Sequence, residues 1–224
     1  MSNALDNVLN QAQAAANNFT PATPDNLPAT QPTYAGGGLP AKQSLSDVAD
    51  AAGMQVDEYL QLKAEGMRIG EMKGLIDELI VEMDMQDIVP AISIRGEQGG
   101  ATKFIKSYDG GRTTSTGENW ALAEQNLRRQ YGKVAGPYPT ADIPFTLLSD
   151  VKDPKTSLVF DEGTVVGLTP SMTGFKPFQK FLKTLKKNDP SLFEQTITVK
   201  LTHRKRTNSN NNEWGVVEFE HVVN

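Results

Sequence analysis

The chain has 224 residues, of which 38% are hydrophobic, and it carries a formal net charge of −5. This length suffices for one sizeable domain with appended segments. The absence of cysteine excludes a disulfide framework, a thiolate zinc site and a cysteine nucleophile, and it fits a reducing cytosol. No apolar run approaches the roughly 18 residues of a membrane span, and the N-terminus lacks the pattern of a secretion signal. We therefore expect a cytoplasmic protein that does not contact a membrane.

The charge is divided unevenly along the sequence. Residues 1–90 contain 13 acidic and 4 basic side chains, a net charge of −9, whereas residues 91–224 contain 14 acidic and 18 basic side chains, a net charge of +4. A basic half joined to an acidic half indicates a polyanionic partner for the basic half.

The acidic half begins with a segment that we expect to be disordered. Residues 1–43 are rich in Pro, Thr, Asn and Gly, and they contain too few large apolar side chains to offset the loss of chain entropy on folding. Residues 44–78 are predicted to form a small helical segment. Ser44 or Ser46 is suited to cap a first helix and Gly53 to end it. A second helix is predicted from the helical spacing of Val56, Tyr59, Leu60 and Lys63. Residues 70–78 are expected to add one or two helical turns.

Within this segment, residues 45–63 resemble the helix-turn-helix of bacterial repressors of the lactose-repressor type. The matching positions are Leu45, Val48, Ala49, Ala52, Gly53, Val56 and Leu60. The expected recognition helix begins with Gln55, Asp57 and Glu58, whose acids would face phosphates. A duplex-binding regulator is therefore the third hypothesis, after a module that docks a protein partner.

From Leu79 the pattern changes to that of strands, with a helix through Met83 as the competing interpretation. We predict a domain over 79–224 that is mainly β with helices, an α+β class. Strand patterns, with period-two alternation or β-branched runs, cover 79–85, 91–95, 102–108, 143–151, 156–168, 196–206 and 213–222. Helical patterns cover 119–131 and 175–187. A helix between the third and fourth strands of a barrel is the arrangement of the OB-fold, so we predict an elaborated OB-like barrel.

The final two predicted strands form a hairpin with a basic tip. Val199 and Leu201 alternate with polar residues, so one face is expected to be apolar and the other basic, and an indole lies on the returning strand. A basic groove with an aromatic ring suits single-stranded nucleic acid, because any base can stack; the alternative is a solvated edge hairpin. The candidate residues are Lys200, His203, Arg204, Lys205, Arg206 and Trp214.

A second candidate cluster lies on the strand 102–108 and in the Gly-rich turn that follows it. Phe104, Lys106 and Tyr108 share one face, with Lys103 on the other and Arg112 in the turn. The alternative places both aromatic rings in the core. A third cluster, on the helix 119–131, consists of Trp120, Arg128 and Arg129, and there the arginines also suit the negative end of the helix.

Nothing in the sequence supports catalysis. His203 and His221 are the two histidines, and neither belongs to a motif with a nucleophile and a carboxylate. We expect neither an enzyme nor a cofactor, and no metal site.

The run from Val165 to Val222 resembles the C-terminal part of bacteriophage proteins described as single-stranded DNA-binding. The similar elements are the turn at 169–171, the helix FKPFQKFLKTL, Pro190 with Phe193, and the strand EWGVVEFE. The resemblance implies an OB-like fold and a role in phage or plasmid DNA replication or recombination. Many such proteins end in an acidic tail that recruits partners, whereas this chain ends HVVN, so the acidic N-terminal region is expected to take that role.

These observations favour a sequence-tolerant binder of single-stranded DNA, with RNA as the alternative ligand. The second hypothesis is a phage adaptor or structural protein that docks a partner through its N-terminal helices.

Overall fold

The computed structural model describes residues 54–223, which contain twelve strands, two α-helices and a short 3₁₀ helix. The strands are β1 Glu58–Lys63, β2 Gly66–Ile69, β3 Glu78–Asp84, β4 Val89–Gln98, β5 Ala101–Ser107, β6 Lys133–Val134, β7 Tyr138–Leu147, β8 Val151–Lys152, β9 Val159–Phe160, β10 Val165–Leu168, β11 Thr196–Thr207 and β12 Glu213–His221. The helices are α1 Trp120–Gln130, α2 Met172–Asn188 and the 3₁₀ helix Pro190–Glu194. The mainly β, α+β class is therefore confirmed.

The predicted second N-terminal helix is wrong. Residues 58–63 form β1, which pairs in parallel with β10 and antiparallel with β2, and 66–69 form β2. Residues 70–78 contain turns and an isolated bridge instead of helical turns. Pairing with β10 overrides a local helical spacing that is only a weak preference. The expected tail at 1–43 and the first helix near Ser44 and Ser46 lie outside the described residues.

This result also removes the proposed recognition helix. The residues that follow Gln55 lead into a strand, so the described part of the chain holds no second helix of a helix-turn-helix there. The hypotheses of a duplex-binding regulator and of a partner docked on N-terminal helices lose the helix over 54–63 on which they depended.

One large sheet organises the described residues. Its strands follow the order β12-β11-β3-β7-β10-β1-β2, and β4 branches from β7 to pair with β5 and β6. The predicted strand at 79–85 is confirmed as β3, and the competing helix through Met83 is wrong. The alternation of buried Leu79, Val81 and Met83 with more exposed neighbours matches a strand that has one face on the core.

Two helices cover two separate apolar clusters. The predicted helix at 175–187 is confirmed within α2, which begins earlier because Ser171 caps it by accepting the Gly174 amide. Its Phe178 and Phe181 rings lie 5.1 and 5.7 Å from the ring of Phe219 on β12. The predicted helix at 119–131 is confirmed as α1, which packs on β4 to form a smaller core. Among the described helices, none has the length and apolar character needed to cross a membrane.

The end of β1 lies against the hairpin of β11 and β12, at the other end of the strand order. The His203 ring nitrogen donates a hydrogen bond of 2.9 Å to the carbonyl of Lys63 at the end of β1. Gly215 on β12 also faces that carbonyl, and a side chain at this position would collide with it. The first described hairpin thereby becomes part of the same packed body as the last one.

Candidate nucleic-acid interface

Strand β5 presents aromatic and basic side chains on one face. Phe104, Lys106 and Tyr108 alternate with Ile105, and Phe104 pairs directly across from Arg95 of β4. Phe104 is 53% exposed, so the alternative that placed its ring in the core is wrong. The Arg95 guanidinium lies 5.9 Å from the centre of the Phe104 ring, within the range of a cation–π contact.

A second aromatic pair continues the same face. The Lys106 ammonium lies 5.8 Å from the centre of the Tyr108 ring. Tyr59 of β1 is 52% exposed, and its register with Gly167 and Pro144 places it on the face of the sheet that carries Asp142. We call Tyr59, Arg95, Phe104, Lys106 and Tyr108 the β5 strip. Its rings and cations alternate, which is the composition that stacking proteins use for unpaired bases.

A buried carboxylate holds two members of the β5 strip, Lys106 and Tyr108, in place. Asp142 on β7 is 2% exposed and accepts hydrogen bonds from the Lys106 ammonium at 2.5 Å and the Tyr108 hydroxyl at 2.6 Å. The Thr169 hydroxyl donates to the same carboxylate at 2.6 Å. Burial, followed by the hydrogen bond to Asp142 and its charge, raises the pKa of Tyr108. The hydroxyl therefore stays protonated, and the ring is fixed with one end tied inward.

The turn after β5 is built around another aspartate. Asp109 accepts the amides of Arg112 and Thr113 and the hydroxyls of Ser107 and Thr113, at distances between 2.7 and 3.0 Å. Gly110 and Gly111 have φ of +79° and +89°, as the predicted turn requires. The hydrogen bonds lower the pKa of Asp109, although desolvation opposes them as the largest single contribution. The turn thus holds the backbone from which Arg112 projects.

Two exposed cations lie near the β5 strip: Lys103 is on the opposite face of β5, and Arg112 is in the turn that follows the strand. Lys103 and Arg112 are both exposed, and within residues 54–223 neither forms an ion pair. An exposed cation without an acidic neighbour is free to exchange its counterion for a phosphate.

The third predicted cluster is largely structural. Trp120 is 3% exposed and packs with Ile92, Ile94 and Leu127, so its assignment to a stacking surface is wrong. The physical reason is that α1 lies on β4 and needs a large apolar anchor at its first turn. Arg128 is held by Glu124 one turn earlier, at 2.6 Å, whereas Arg129 is exposed at the end of α1.

The hairpin has the predicted alternation, and its cations are paired with acids. Lys200 lies 2.8 Å from Glu78 of β3. Arg204 and Arg206 both contact Glu218, at 3.0 and 3.2 Å. Lys205 lies 2.6 Å from Glu213. Within residues 54–223, each of these four predicted phosphate contacts already has an acidic partner, which lowers the attraction of this face for a polyanion.

His203 and Trp214 also have structural surroundings. The His203 ring is engaged by the Lys63 carbonyl, which makes it a link between β11 and β1. Trp214 is partly buried and lines a groove beside α2, and its buried indole nitrogen has no hydrogen-bond partner.

The structure therefore separates the predicted residues into two surfaces. Apart from Tyr59 on β1, the β5 strip lies on the branch of the sheet built on β4, and the hairpin lies at the β12 end of the sheet. Sequence reasoning missed Tyr59, Arg95, Asp142 and Thr169. Arg95 was recoverable, because it follows the apolar alternation of Ile92 and Ile94. Tyr59 was hidden by the mistaken helix, and Asp142 joins Lys106 only through the pairing of β4 with β5 and β7.

Comparison of the chain with models of protein families, with curated proteins and with solved structures gives no match. Within residues 54–223, no group of three or more His, Asp or Glu side chains is placed to hold a metal ion.

Proposed function

We propose that the protein binds single-stranded nucleic acid, with single-stranded DNA as the primary ligand, on the β5 strip. The observation that carries the proposal is the exposed Phe104 ring with the Arg95 guanidinium against it. An aromatic side chain that is half exposed on a strand gains little from burial, and its flat face is open to a base.

The strip supplies two kinds of contact. Bases stack on Phe104 and on the neighbouring tyrosines, each stack contributing about 1–3 kcal/mol. Phosphates contact the exposed Arg112 in the turn after β5, and they reach Lys103, on the other face of β5, around the edge of that strand that is unpaired within residues 54–223. Arg95 and Lys106 have acidic neighbours, Glu97 and Asp142, so they act mainly by orienting the rings.

Single strands are favoured over duplex because stacking on an exposed ring needs an unpaired base. A duplex offers its bases only as edges in a groove, which proteins usually read with a helix or a two-stranded ribbon. The β5 strip is instead a row of alternating rings and cations. Such a surface tolerates any sequence, since every base has a flat face.

The finer fold and the biological role belong to the same proposal. An elaborated OB-like barrel is supported by the position of α2 between β10 and β11 and by the contact between β1 and β12. A role in phage or plasmid DNA replication or recombination rests on the resemblance of 165–222 to bacteriophage proteins.

The test is a titration of the full chain with fluorescently labelled oligothymidylate, oligouridylate and a duplex of the same length, at two salt concentrations. We expect the oligothymidylate to bind more tightly than the duplex, with an affinity that falls as salt rises. Phe104→Ala should weaken this binding without a change in folding. Equal binding to duplex and single strand, or an unaffected Phe104→Ala variant, would contradict the assignment.

A further inference from the structure

A groove separate from the β5 strip runs between α2 and the last strand, β12. It encloses about 780 Å³. One wall is the exposed side of α2, and the other is β12, which within residues 54–223 pairs with β11 alone. The proposal below does not depend on the nucleic-acid site, since it rests on different elements and different residues.

The helix wall of the groove is basic. Helix α2 contains five lysines and no acidic residue. Lys176 and Lys180 line the groove, and within residues 54–223 neither forms an ion pair. Lys183 and Lys187 are exposed on the same helix and do not line the groove. The helix therefore presents an uncompensated positive edge along one side of the cleft.

The floor of the groove is apolar and aromatic. Phe181, Leu185 and Phe219 line it, and the Trp214 ring lies at one end. The Trp214 indole N–H is a donor without an acceptor among the described residues. A buried donor left unpaired is unfavourable, and a carbonyl or carboxylate that reached this nitrogen would relieve the cost.

The opposite wall carries charges of both signs. Glu218 and Glu220 line the groove from β12, and Arg206 of β11, which pairs with Glu218, lines it beside them. A continuous phosphate chain in the groove would meet Glu220, which forms no ion pair within residues 54–223. An apolar floor beside two unpaired lysines instead matches a polypeptide, which can place an apolar side chain inward and acids toward the lysines.

We propose that the α2–β12 groove docks an acidic segment of a partner protein. The segment places large apolar side chains on Phe181, Leu185 and Trp214. Its carboxylates face Lys176 and Lys180. This would make the chain an adaptor through its C-terminal half rather than through its N-terminal region.

The test uses a synthetic peptide in which a Phe and a Leu are separated by acidic residues, and the same peptide with Lys at every acidic position. Binding to the full chain is followed by the two tryptophan indole N–H signals in a nitrogen-proton correlation spectrum. Trp214→Phe assigns them. We expect the acidic peptide to shift the Trp214 signal while leaving that of Trp120 in place, and to bind at least about tenfold more tightly than its Lys counterpart.

Charge-reversal variants locate the contact. Lys176→Glu with Lys180→Glu should weaken the acidic peptide by about tenfold. The matched control, Lys183→Glu with Lys187→Glu, makes the same charge change on the same helix outside the groove, and should change affinity by no more than about twofold. Thr184→Phe, which fills the groove without a change in charge, should block the peptide, and Thr184→Ser should not.

Three results would overturn the proposal. One is equal binding of the acidic and Lys peptides. Another is an equal loss in the two charge-reversal pairs, which would indicate nonspecific attraction. The third is a shift of the Trp214 signal by oligothymidylate that the acidic peptide reverses, because the groove would then belong to nucleic acid. Absence of oligonucleotide binding altogether would leave the peptide result standing, so the two proposals fail separately.

Discussion

The β5 strip and the β11–β12 hairpin both combine cations with an aromatic ring, and they differ in the acids beside those cations. In the strip Lys106 pairs with Asp142, which is buried beneath the ring and the ammonium that it holds, and only Arg95 pairs with a partly exposed acid, Glu97. In the hairpin the acid is Glu218, whose side chain is 44% exposed and lies on the same outer face as the arginines. A buried acid positions its donors and leaves the surface open, whereas an exposed acid competes with a phosphate for the same cations.

The aromatic rings of the two regions differ in the same way. Phe104 is half exposed and held by a cation, while Trp214 is partly buried beside α2. The comparison teaches that residue type alone does not identify a nucleic-acid surface. The side chain must also have an accessible face, and cations without an acidic partner must lie near it.

The largest expected effect is the loss of folding stability when the buried acid of the strip is replaced. Asp142→Ala leaves Lys106, Tyr108 and the Thr169 hydroxyl without their shared acceptor, and we expect it to destabilise the fold by about 3 kcal/mol. Glu218→Ala removes an exposed partner and should cost less than about 1 kcal/mol. Thermal melts of the two variants should therefore differ by roughly 5–10 °C. Similar melting temperatures would show that the two acids are equivalent and would undo the comparison.

The next effect separates the two rings. Phe104→Ala should weaken oligothymidylate binding by about 1–3 kcal/mol and change the melting temperature little, because the ring is 53% exposed. Trp214→Ala should do the reverse, lowering stability by about 2 kcal/mol and leaving affinity unchanged at temperatures where the variant is folded. Titrations and melts of both variants distinguish these outcomes. A loss of affinity in folded Trp214→Ala would return the hairpin to the site.

The strands and helices differ in how well the sequence predicts them. The alternation in 79–85 and 196–206 predicts strands correctly, because each has one face on the core. The strand at 102–108 is also correct, although only its last part, from Ile105 to Ser107, is shielded from solvent. The helix at 175–187 is equally legible from its apolar stripe. Residues 54–63 were misread, because an apolar spacing that fits a helix also fits a strand whose partner, β10, is a hundred residues away.

The candidate site was legible only in part, for a similar reason. Phe104, Lys106 and Tyr108 share a face by local alternation alone. Trp120 has no local signal that separates a core anchor from an exposed ring. The ion pairs of Lys200 with Glu78 and of Arg204 with Glu218 depend on the register of β11 with β3 and β12, which no single segment encodes.

A smaller effect concerns the flanking cations of the strip. Lys103→Ala with Arg112→Ala should flatten the plot of log affinity against log salt by about 0.7 per lost phosphate contact, with folding unchanged. The control, Lys152→Ala with Lys155→Ala, removes two other exposed lysines, and should leave the slope as it is. If the two pairs flatten the plot equally, the effect reports net charge instead of contact.

The smallest expected effect is that of the hairpin tip. Replacing Arg204, Lys205 and Arg206 with Ala should change the salt slope by less than about 0.7 in total, because a phosphate would first have to displace Glu213 or Glu218. The triple variant also makes the whole chain more negative, which weakens association with any polyanion through the overall field. Glu213→Ala with Glu218→Ala shifts the net charge in the opposite direction and leaves the same cations without their acidic partners.

If the hairpin acts only through the overall field of the chain, the acid variant should strengthen binding modestly, with little change of the salt slope. If the tip contacts phosphates, as the sequence pattern predicts, the triple variant should flatten the slope by about 2, and the acid variant should steepen it. That pair of slopes would place the nucleic acid on β11 and β12, and it would leave the β5 strip as an aromatic surface without a ligand.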